Sequence, residues 1–303
     1  MDAVWMFSGQ GAQKPGMGAG VADDPAAREV YECASDHFGF DVARTSLEAS
    51  QEELNETKRA QACMVALSVG LARALEARGH EPSAVLGFSL GQVSALAVSG
   101  MLSLEETMRF AAFRAEAMSR AAANGAGAMC ALLGADEEAA AKLCDACADG
   151  DVLVPANYNC PGQIVISGSE AAIARAEEAW KAEKKRCSRL ATSGAFHSPL
   201  MQSAADELAA YLAQVEFSEA RIPLVCNVDA QPLAAAAARQ HLADHLTHPV
   251  RFAQSVAWLA EQGACTFAEV GFGGVLSGLV RRIDKNLGRP VVASLEDVES
   301  YGE

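Results

Sequence analysis

The chain has 303 residues, half of them hydrophobic, and a formal net charge of −15. This length and apolar content suffice for a large buried core and exclude a disordered chain. The acidic balance argues against nucleic acid and anionic membranes as partners, because both repel an acidic surface at long range.

The first predicted strand covers residues 4–7 and opens into a glycine-rich loop at 8–18. Such a loop brings backbone N–H groups close to an anion or oxyanion, although a plain strand-to-helix connection explains it equally well. It contains neither G-x-G-x-x-G nor G-K-[ST], so no dinucleotide fingerprint or Walker loop is predicted. Helical periodicity follows over 25–35 and 60–78.

The segment Gly87-Phe88-Ser89-Leu90-Gly91 stands between an apolar run at 83–86 and a helix-compatible run at 92–98. A nucleophile elbow needs a small residue two positions on either side of its serine, because the strained turn crowds both flanks. We therefore predict Ser89 as a nucleophile at a strand-to-helix turn. An ordinary Gly/Ser turn is the alternative.

The uncharged stretch 83–104 is long enough on paper to span a bilayer. Its glycines and serines, together with the strand-turn-helix pattern, favour the central strand and helix of a soluble protein instead. A further helix is predicted over 104–123, started by the capping pattern at 103–106.

The pattern changes at 124–127 and then reads β-α-β-β-α-β, the ferredoxin-like arrangement. Its elements are an apolar run at 129–133, a helix at 136–148, runs at 152–157 and 163–167, a helix at 170–184 and a run at 187–192. We interpret this segment as a small inserted domain.

Helices and strands alternate again after the insertion, which predicts a mostly parallel sheet with helices on both faces. The helices are predicted at 199–215, 234–246, 253–262 and 275–286, and the strands at 222–228, 266–270 and 290–294. The predicted fold is an α/β, hydrolase-like large subdomain formed by 1–125 and 198–303, with a ferredoxin-like small subdomain at 126–197. Ligands of such sheets bind beyond the carboxyl ends of the strands.

Nine cysteines are scattered through mostly apolar runs and are interpreted as reduced core residues. With no secretion signal visible, we expect a cytoplasmic protein. Cys144 and Cys147 form a lone C-x-x-C without a second pair of ligands at zinc-like spacing, so no metal site is predicted.

A serine nucleophile needs a base, and His197 is the best placed histidine. It lies where the predicted insertion returns the chain to the main domain, a position suited to an interdomain cleft. His241, His245 and His248 follow helical spacing, but H-E-x-x-H is absent, so we expect a solvated helix face there rather than zinc ligands.

Seven blocks occur in a characteristic order: 9–13 (GQGAQ), 87–91 (GFSLG), Arg114, 157–163 (NYNCPGQ), 194–197 (GAFH), 227–229 (NVD) and 269–271 (EVG). Through these blocks the chain resembles the malonyl-CoA:acyl carrier protein transacylases, the acyltransferase family of fatty-acid and polyketide synthesis. The resemblance covers nearly the whole chain.

The resemblance implies a role for each matching residue. Ser89 would carry the malonyl group as an ester, and His197 would serve as base and then as acid. The backbone N–H groups of Gln10 and Leu90 would form the oxyanion hole. The backbone at His245, where a glutamine is usual, would orient His197.

Arg114 has a physical rationale beside the resemblance, since a guanidinium can hold the free carboxylate of a malonyl group bidentately. The alternative is a surface arginine paired with Glu106 or Glu116. Phe196 would fill the space that an α-methyl group needs, favouring malonyl over branched acyl groups. Phe88 and Gln92 stand where histidine and glutamate are frequent, and neither change removes a group that the chemistry needs.

The implied reaction moves malonyl from malonyl-CoA to the phosphopantetheine thiol of acyl carrier protein, with no bound cofactor. Carrier proteins are mostly acidic, so a basic rim is expected. Two clusters could supply it: Lys184, Lys185, Arg186 and Arg189, or Arg281, Arg282, Lys285 and Arg289. The alternatives are an acyltransferase of the same fold in malonate decarboxylation or polyketide assembly, a serine esterase, and a catalytically silent carrier-binding module.

Overall fold

Two β-sheets, one parallel and one antiparallel, organise the chain. The computed structural model describes residues 3–125, 127–192 and 194–302. The parallel sheet contains β1 (Ala3–Phe7), β2 (Ala84–Gly87), β7 (Leu224–Val225), β8 (Thr266–Val270) and β9 (Val291–Val292). Its strand order is β7-β2-β1-β8-β9, so β1 and β2 are neighbours at the centre and end at the same edge.

Helices surround the parallel sheet. They are α1 (Pro25–Phe38), α2 (Val42–Glu48), α3 (Gln51–Leu54), α4 (Thr57–Ala77), α5 (Gly91–Ser99), α6 (Leu104–Asn124), α9 (Gln202–Leu212), α10 (Ala235–Asp244), α11 (Phe252–Glu261), α12 (Val275–Ile283) and α13 (Leu295–Glu299). Short 3₁₀ turns lie at Val21–Asp23 and Pro199–Met201.

The central strand β1 is buried on both faces. Trp5 and Phe7 belong to the apolar core that includes residues of α4, α5 and α6. Val4 and Met6 point the other way, into a second core with residues of α11 and α12. Burial on both faces explains why this strand is an unbroken apolar run without polar alternation.

The antiparallel sheet forms the ferredoxin-like arrangement that the sequence predicts. Its elements are β3 (Gly127–Leu133), α7 (Glu137–Ala148), β4 (Leu153–Cys160), β5 (Gln163–Ser169), α8 (Glu170–Ala182) and β6 (Arg186–Arg189). The strand order is β4-β5-β3-β6. Apolar side chains of this sheet, among them Leu132 and Ile166, pack with Trp180 of α8 in a core of their own.

Backbone hydrogen bonds join the antiparallel sheet to a loop segment of the rest of the chain. The Tyr158 N–H donates to the Val250 carbonyl, and the Val250 N–H donates to the Ala156 carbonyl, both at 2.9 Å. Strand β4 is thereby tied to the segment that precedes α11.

The α/β fold class is confirmed, with three kinds of local difference. Helices α2, α3 and α13 were not predicted, because each is too short to show a helical period. The strand predicted at 222–228 is only two residues long, and the run at 187–192 stops being a strand at Arg189. The division into 1–125 with 198–303 and 126–197 stays a prediction. Its first boundary falls on Ala126, outside the described residues.

Within the described part of the chain, α4 is the one helix long and apolar enough to cross a bilayer, with a mean hydropathy of 1.2. Of its most apolar window, 83% is buried inside the protein. It therefore packs as a core helix. The uncharged stretch at 83–104 contains the buried β2 and α5 instead.

Candidate active site

Ser89 lies at a sharp turn between the end of β2 and the start of α5. Its φ of 52° is in the left-handed region, which is strained for a residue with a side chain. A Cβ at Gly87 would lie 1.9 Å from the Gln92 nitrogen, and a Cβ at Gly91 would lie 1.9 Å from the Phe7 carbonyl oxygen. The two flanking glycines are therefore sterically required, as the elbow pattern predicts.

The His197 ring is positioned between the Ser89 hydroxyl and the main chain near the end of α10. Its Nε2 lies 2.7 Å from Ser89 Oγ, and its Nδ1 lies 2.8 Å from the His245 carbonyl oxygen and 3.2 Å from that of His248. Because a carbonyl only accepts hydrogen bonds, Nδ1 carries the proton. Nε2 is then the free acceptor for the Ser89 hydroxyl.

Burial keeps His197 neutral. The ring is 3% exposed, and this desolvation, together with the positive charge of Arg114, lowers the pKa of His197 to about 4. The hydrogen bonds to the two carbonyls oppose this shift but do not cancel it. At neutral pH the imidazole is therefore in the form that can accept a proton.

Gln10 follows β1 and Leu90 follows β2, so neighbouring strands bring their N–H groups to one edge of the sheet. Both residues line the same cleft as Ser89. Among the described residues, neither N–H donates to a backbone carbonyl or a side chain. The Ser89 N–H, by contrast, is bound to the Asn227 side-chain oxygen at 2.8 Å. Gln10 and Leu90 thus each bring a backbone N–H without an acceptor in the described structure to the cleft.

Arg114 projects from α6 into the interior and is only 2% exposed. Its Nη1 donates to the Gln61 side-chain oxygen at 2.8 Å, while its buried Nη2 has no partner in the described structure. Burial lowers the pKa of Arg114 to about 10. Glu106 and Glu116 bind other cations on the surface, so the surface ion-pair alternative is wrong.

The cleft above Ser89 has a volume of about 370 Å³ and is bounded by both sheets. Phe196, 7% exposed, lines it beside His197. Strands β3 and β5 contribute apolar residues to the opposite wall. Asn159 and Thr192 also line this cleft. Their side-chain oxygens are buried and have no hydrogen-bond partner among the described residues.

The structure corrects the expectation of a solvated face for the three histidines near α10. His245 is 2% exposed, and its Nε2 lies 3.1 Å from the Asn227 side-chain oxygen. His241 lies near Asp229 at 3.4 Å, and the His248 side chain is largely exposed. The three histidines therefore do not form one solvated helix face, because His241 is half-buried and α10 ends at Asp244, before His245 and His248.

Phe88, which departs from the family pattern, packs against the Phe252 ring edge to face with centroids 5.5 Å apart. It thereby anchors the elbow to α11. Cys144 and Cys147 are buried free thiols in the core of the antiparallel sheet and do not line the cleft.

Two residues of the site were not assigned a role from the sequence. Gln61 is a fully buried polar residue in an apolar stretch of α4. A polar residue within that apolar stretch is the local sequence feature that could have indicated its role. Asn227 belongs to a block that carries the family resemblance, but its contacts with Ser89 join segments 138 residues apart. No local pattern reports such a contact.

Comparison with known proteins agrees with this geometry. The acyl transferase domain family matches residues 4–298. A malonyl CoA-acyl carrier protein transacylase of Salmonella typhimurium (strain LT2) is 39% identical over 284 residues, which cover 92% of each chain. One from Staphylococcus aureus (strain MRSA252) is 35% identical over 302 residues, covering 98% of this chain and 97% of that protein.

Solved structures give the same result. The malonyl-CoA:acyl carrier protein transacylase of Xanthomonas oryzae pv. oryzae superimposes with a TM-score of 0.94 at 38% identity, covering 99% of this chain and 96% of that one. A malonyl-transacylase in complex with its type II PKS acyl-carrier protein gives 0.95 at 36% identity, covering 99% and 98%. The chain therefore belongs to the acyl transferase domain family and shares the fold of its malonyl-CoA:acyl carrier protein transacylases.

Proposed function

We propose that this protein transfers the malonyl group from malonyl-CoA to the phosphopantetheine thiol of acyl carrier protein, through a malonyl ester on Ser89, and so supplies fatty-acid synthesis. The observation that carries the proposal is the buried Arg114 guanidinium in the cleft of Ser89 and His197. It has no carboxylate partner among the described residues. A buried cation without a counter-ion suits an acyl group that brings a carboxylate of its own.

In the first half-reaction, Ser89 Oγ attacks the thioester carbonyl carbon while its proton moves to Nε2 of His197. The 2.7 Å separation of these atoms suits that transfer. The negative charge on the carbonyl oxygen is stabilised by the N–H groups of Gln10 and Leu90. When the C–S bond breaks, His197 returns the proton to the CoA sulfur.

The second half-reaction runs the same steps in the opposite direction. His197 takes the proton of the phosphopantetheine thiol, the thiolate attacks the ester carbonyl, and Ser89 Oγ leaves and is reprotonated. Every proton and acyl transfer uses groups of the chain and its substrates. The proposal therefore includes no bound cofactor, and CoA enters only as part of a substrate.

His197 is oriented by backbone carbonyls. A serine esterase usually orients its histidine with an aspartate or glutamate, so this contact favours the transferase over the esterase alternative. The cysteines of the chain are free thiols, which agrees with a reducing, cytoplasmic location.

The basic cluster formed by Arg281, Arg282, Lys285 and Arg289 is the better candidate for carrier docking. It begins on α12, whose Val275, Leu276 and Leu279 line the cleft. Within the described structure, none of its four side chains pairs with a carboxylate. In the other cluster, Lys185 and Arg189 are already paired with glutamates.

A carrier protein of polyketide synthesis is a second candidate acceptor. This is favoured by the structural similarity to the malonyl-transacylase that was solved with its type II PKS acyl-carrier protein. The same Ser89 chemistry would serve both acceptors. Transfer rates to purified carriers of each pathway distinguish them.

The test is to incubate the purified protein with malonyl-CoA and measure its intact mass. We expect a malonyl adduct that is absent from Ser89→Ala and that disappears when holo acyl carrier protein is added. Ser83→Ala is the matched control, because that serine is exposed outside the cleft. If the wild-type protein forms no adduct, the covalent mechanism is wrong and only a carrier-binding role remains.

A further inference from the structure

Asn227 is a fully buried residue that holds the turn around Ser89 in place. Its Nδ2 donates to the Gly87 carbonyl at 2.6 Å, and its Oδ1 accepts from the Ser89 N–H at 2.8 Å. Its own backbone N–H donates to the Gln92 side-chain oxygen at 2.7 Å. One side chain thus bonds to the elbow on both sides of Phe88.

These contacts fix the orientation of the Asn227 amide. Only the NH₂ end can donate to the Gly87 carbonyl, and only the oxygen end can accept from the Ser89 N–H. The same oxygen lies 3.1 Å from Nε2 of His245. A hydrogen bond at that distance requires His245 to present Nε2–H, and an unprotonated Nε2 would face the oxygen lone pairs.

His245 is therefore linked to both members of the Ser89–His197 pair, directly to His197 and through Asn227 to Ser89. Its backbone carbonyl accepts from Nδ1 of His197, and its ring donates through Asn227 to the elbow. The two rings lie with centroids 5.3 Å apart. Ser89 and His197 both have positive φ, at 52° and 58°, and such strained conformations persist only where their surroundings enforce them.

We propose that Asn227 and the imidazole of His245 are positioning residues for the Ser89–His197 pair, with His245 acting through its Nε2–H. This inference rests on the proposed function and deepens it. The backbone carbonyl of residue 245 accepts from His197 whatever side chain that residue carries. The His245 ring contributes a separate hydrogen bond, to Asn227, which in turn holds the turn at Ser89. Burial of the ring, together with the positive charge of the nearby Arg114, lowers the pKa of His245 and agrees with a neutral ring.

The first experiment compares His245→Leu with His245→Gln by rapid-quench malonyl loading of Ser89. Leucine fills the space without a donor, so we expect the acylation rate to fall about 5- to 100-fold, while the KM for malonyl-CoA stays within about twofold. Glutamine supplies an N–H and should restore most of the rate. His241→Leu, one helical turn earlier on α10, is the matched control.

Equal losses in the leucine and glutamine variants, or wild-type loading in the leucine variant, would overturn the positioning role. Reaction of Ser89 with a small fluorophosphonate separates this result from failure of the proposed function. A wild-type protein that reacts with the fluorophosphonate but not with malonyl-CoA refutes the proposed substrate alone. Equal fluorophosphonate rates in the wild type and both variants refute the positioning role alone.

A second experiment uses the wild-type protein and measures the tautomer of the His245 ring directly, so it does not depend on a variant that folds. In the ¹⁵N-histidine-labelled wild-type protein, NMR distinguishes the two neutral tautomers of a buried imidazole. We expect the His245 signal to be that of the Nε2–H form. A neutral Nδ1–H form would contradict the proposal.

Discussion

Arg114 donates through Nη1 to the side-chain oxygen of Gln61, 2.8 Å away, and its buried Nη2 is unpartnered in the described structure. Gln61 thereby fixes the guanidinium without neutralising it. Because α4 and α6 pack side by side, each supplies one member of this pair. The cleft of Ser89 therefore has a fixed cation with no carboxylate partner among the described residues.

Replacing Arg114 by alanine is expected to remove the preference for malonyl-CoA. Losing a buried charged partner costs roughly 2 to 5 kcal/mol, which lowers kcat/KM for malonyl-CoA by at least roughly 30-fold. Acetyl-CoA has no second carboxylate and should lose much less. Competition between the two thioesters, read by intact mass, measures the change.

Arg109→Ala is the matched control for Arg114→Ala. Arg109 lies on the same helix but is exposed and paired with Glu105 and Glu106. Its variant should keep the malonyl preference. An unchanged preference in Arg114→Ala itself would show that the buried arginine is only structural.

The pH dependence of malonyl loading should report the lowered pKa of His197. Because the base works as the neutral imidazole and its pKa is about 4, kcat/KM should stay nearly constant from pH 7 down to about pH 5. It should decline only around pH 4. An acid limb near pH 6.5, the ordinary value, would show that the ring is solvated in the active protein.

The same pKa shift predicts how stability depends on pH. Between pH 6.5 and about 4, the unfolded chain binds a proton at position 197 that the folded protein does not bind. The free energy of unfolding therefore falls as the pH falls through this window and recovers above it. His197→Gln should show a weaker fall than the wild type in urea titrations at several pH values, and an equal fall would contradict the assignment.

Charge reversal at the basic end of α12 should weaken binding of the carrier. We expect Arg281→Glu with Arg282→Glu to raise the KM for acyl carrier protein about tenfold and to leave the KM for malonyl-CoA unchanged. Lys184→Glu with Lys185→Glu tests the other cluster and should leave both values near the wild type. Equal increases for both substrates would indicate damage to the fold.

The tight approach of the elbow to β1 should make Gly91 irreplaceable. In Gly91→Ala the new methyl group would lie 1.9 Å from the Phe7 carbonyl oxygen, so we expect a loss of about 1 to 3 kcal/mol or more in the free energy of unfolding. Gly278→Ala on α12 meets no atom within 4 Å and should stabilise by about 0.5 to 1 kcal/mol. Denaturant titration compares them, and a neutral Gly91→Ala would contradict the steric argument.

The elements that the sequence predicted well are those encoded by short-range pattern. Unbroken apolar runs report strands buried on both faces, as in β1. The order of the elements between 127 and 189 reports the ferredoxin-like unit. A helix of one turn, such as α3 (Gln51–Leu54), shows no helical period in the sequence and was not predicted.

The residues of the candidate site also divide into those that local sequence predicts and those that contacts between distant segments place. Ser89 could be found from its flanking glycines, because the steric limits of the turn depend on residues within two positions. His245 could not be placed correctly from its helical spacing, because its burial depends on how α10 ends and on Asn227, 18 residues away. Gln61 and Arg114 are 53 residues apart, and only helix packing brings them together.

The sequence by itself therefore determined the α/β alternation, the inserted ferredoxin-like unit and the strained turn that presents Ser89. These follow from local sterics and from the periodicity of buried side chains. Only the tertiary structure decided that Arg114 is a buried cation, that the His245 ring is buried, and that Asn227 ties the elbow to that ring. Each of these is a contact between distant segments, whose geometry is set by the packing of both sheets and their helices.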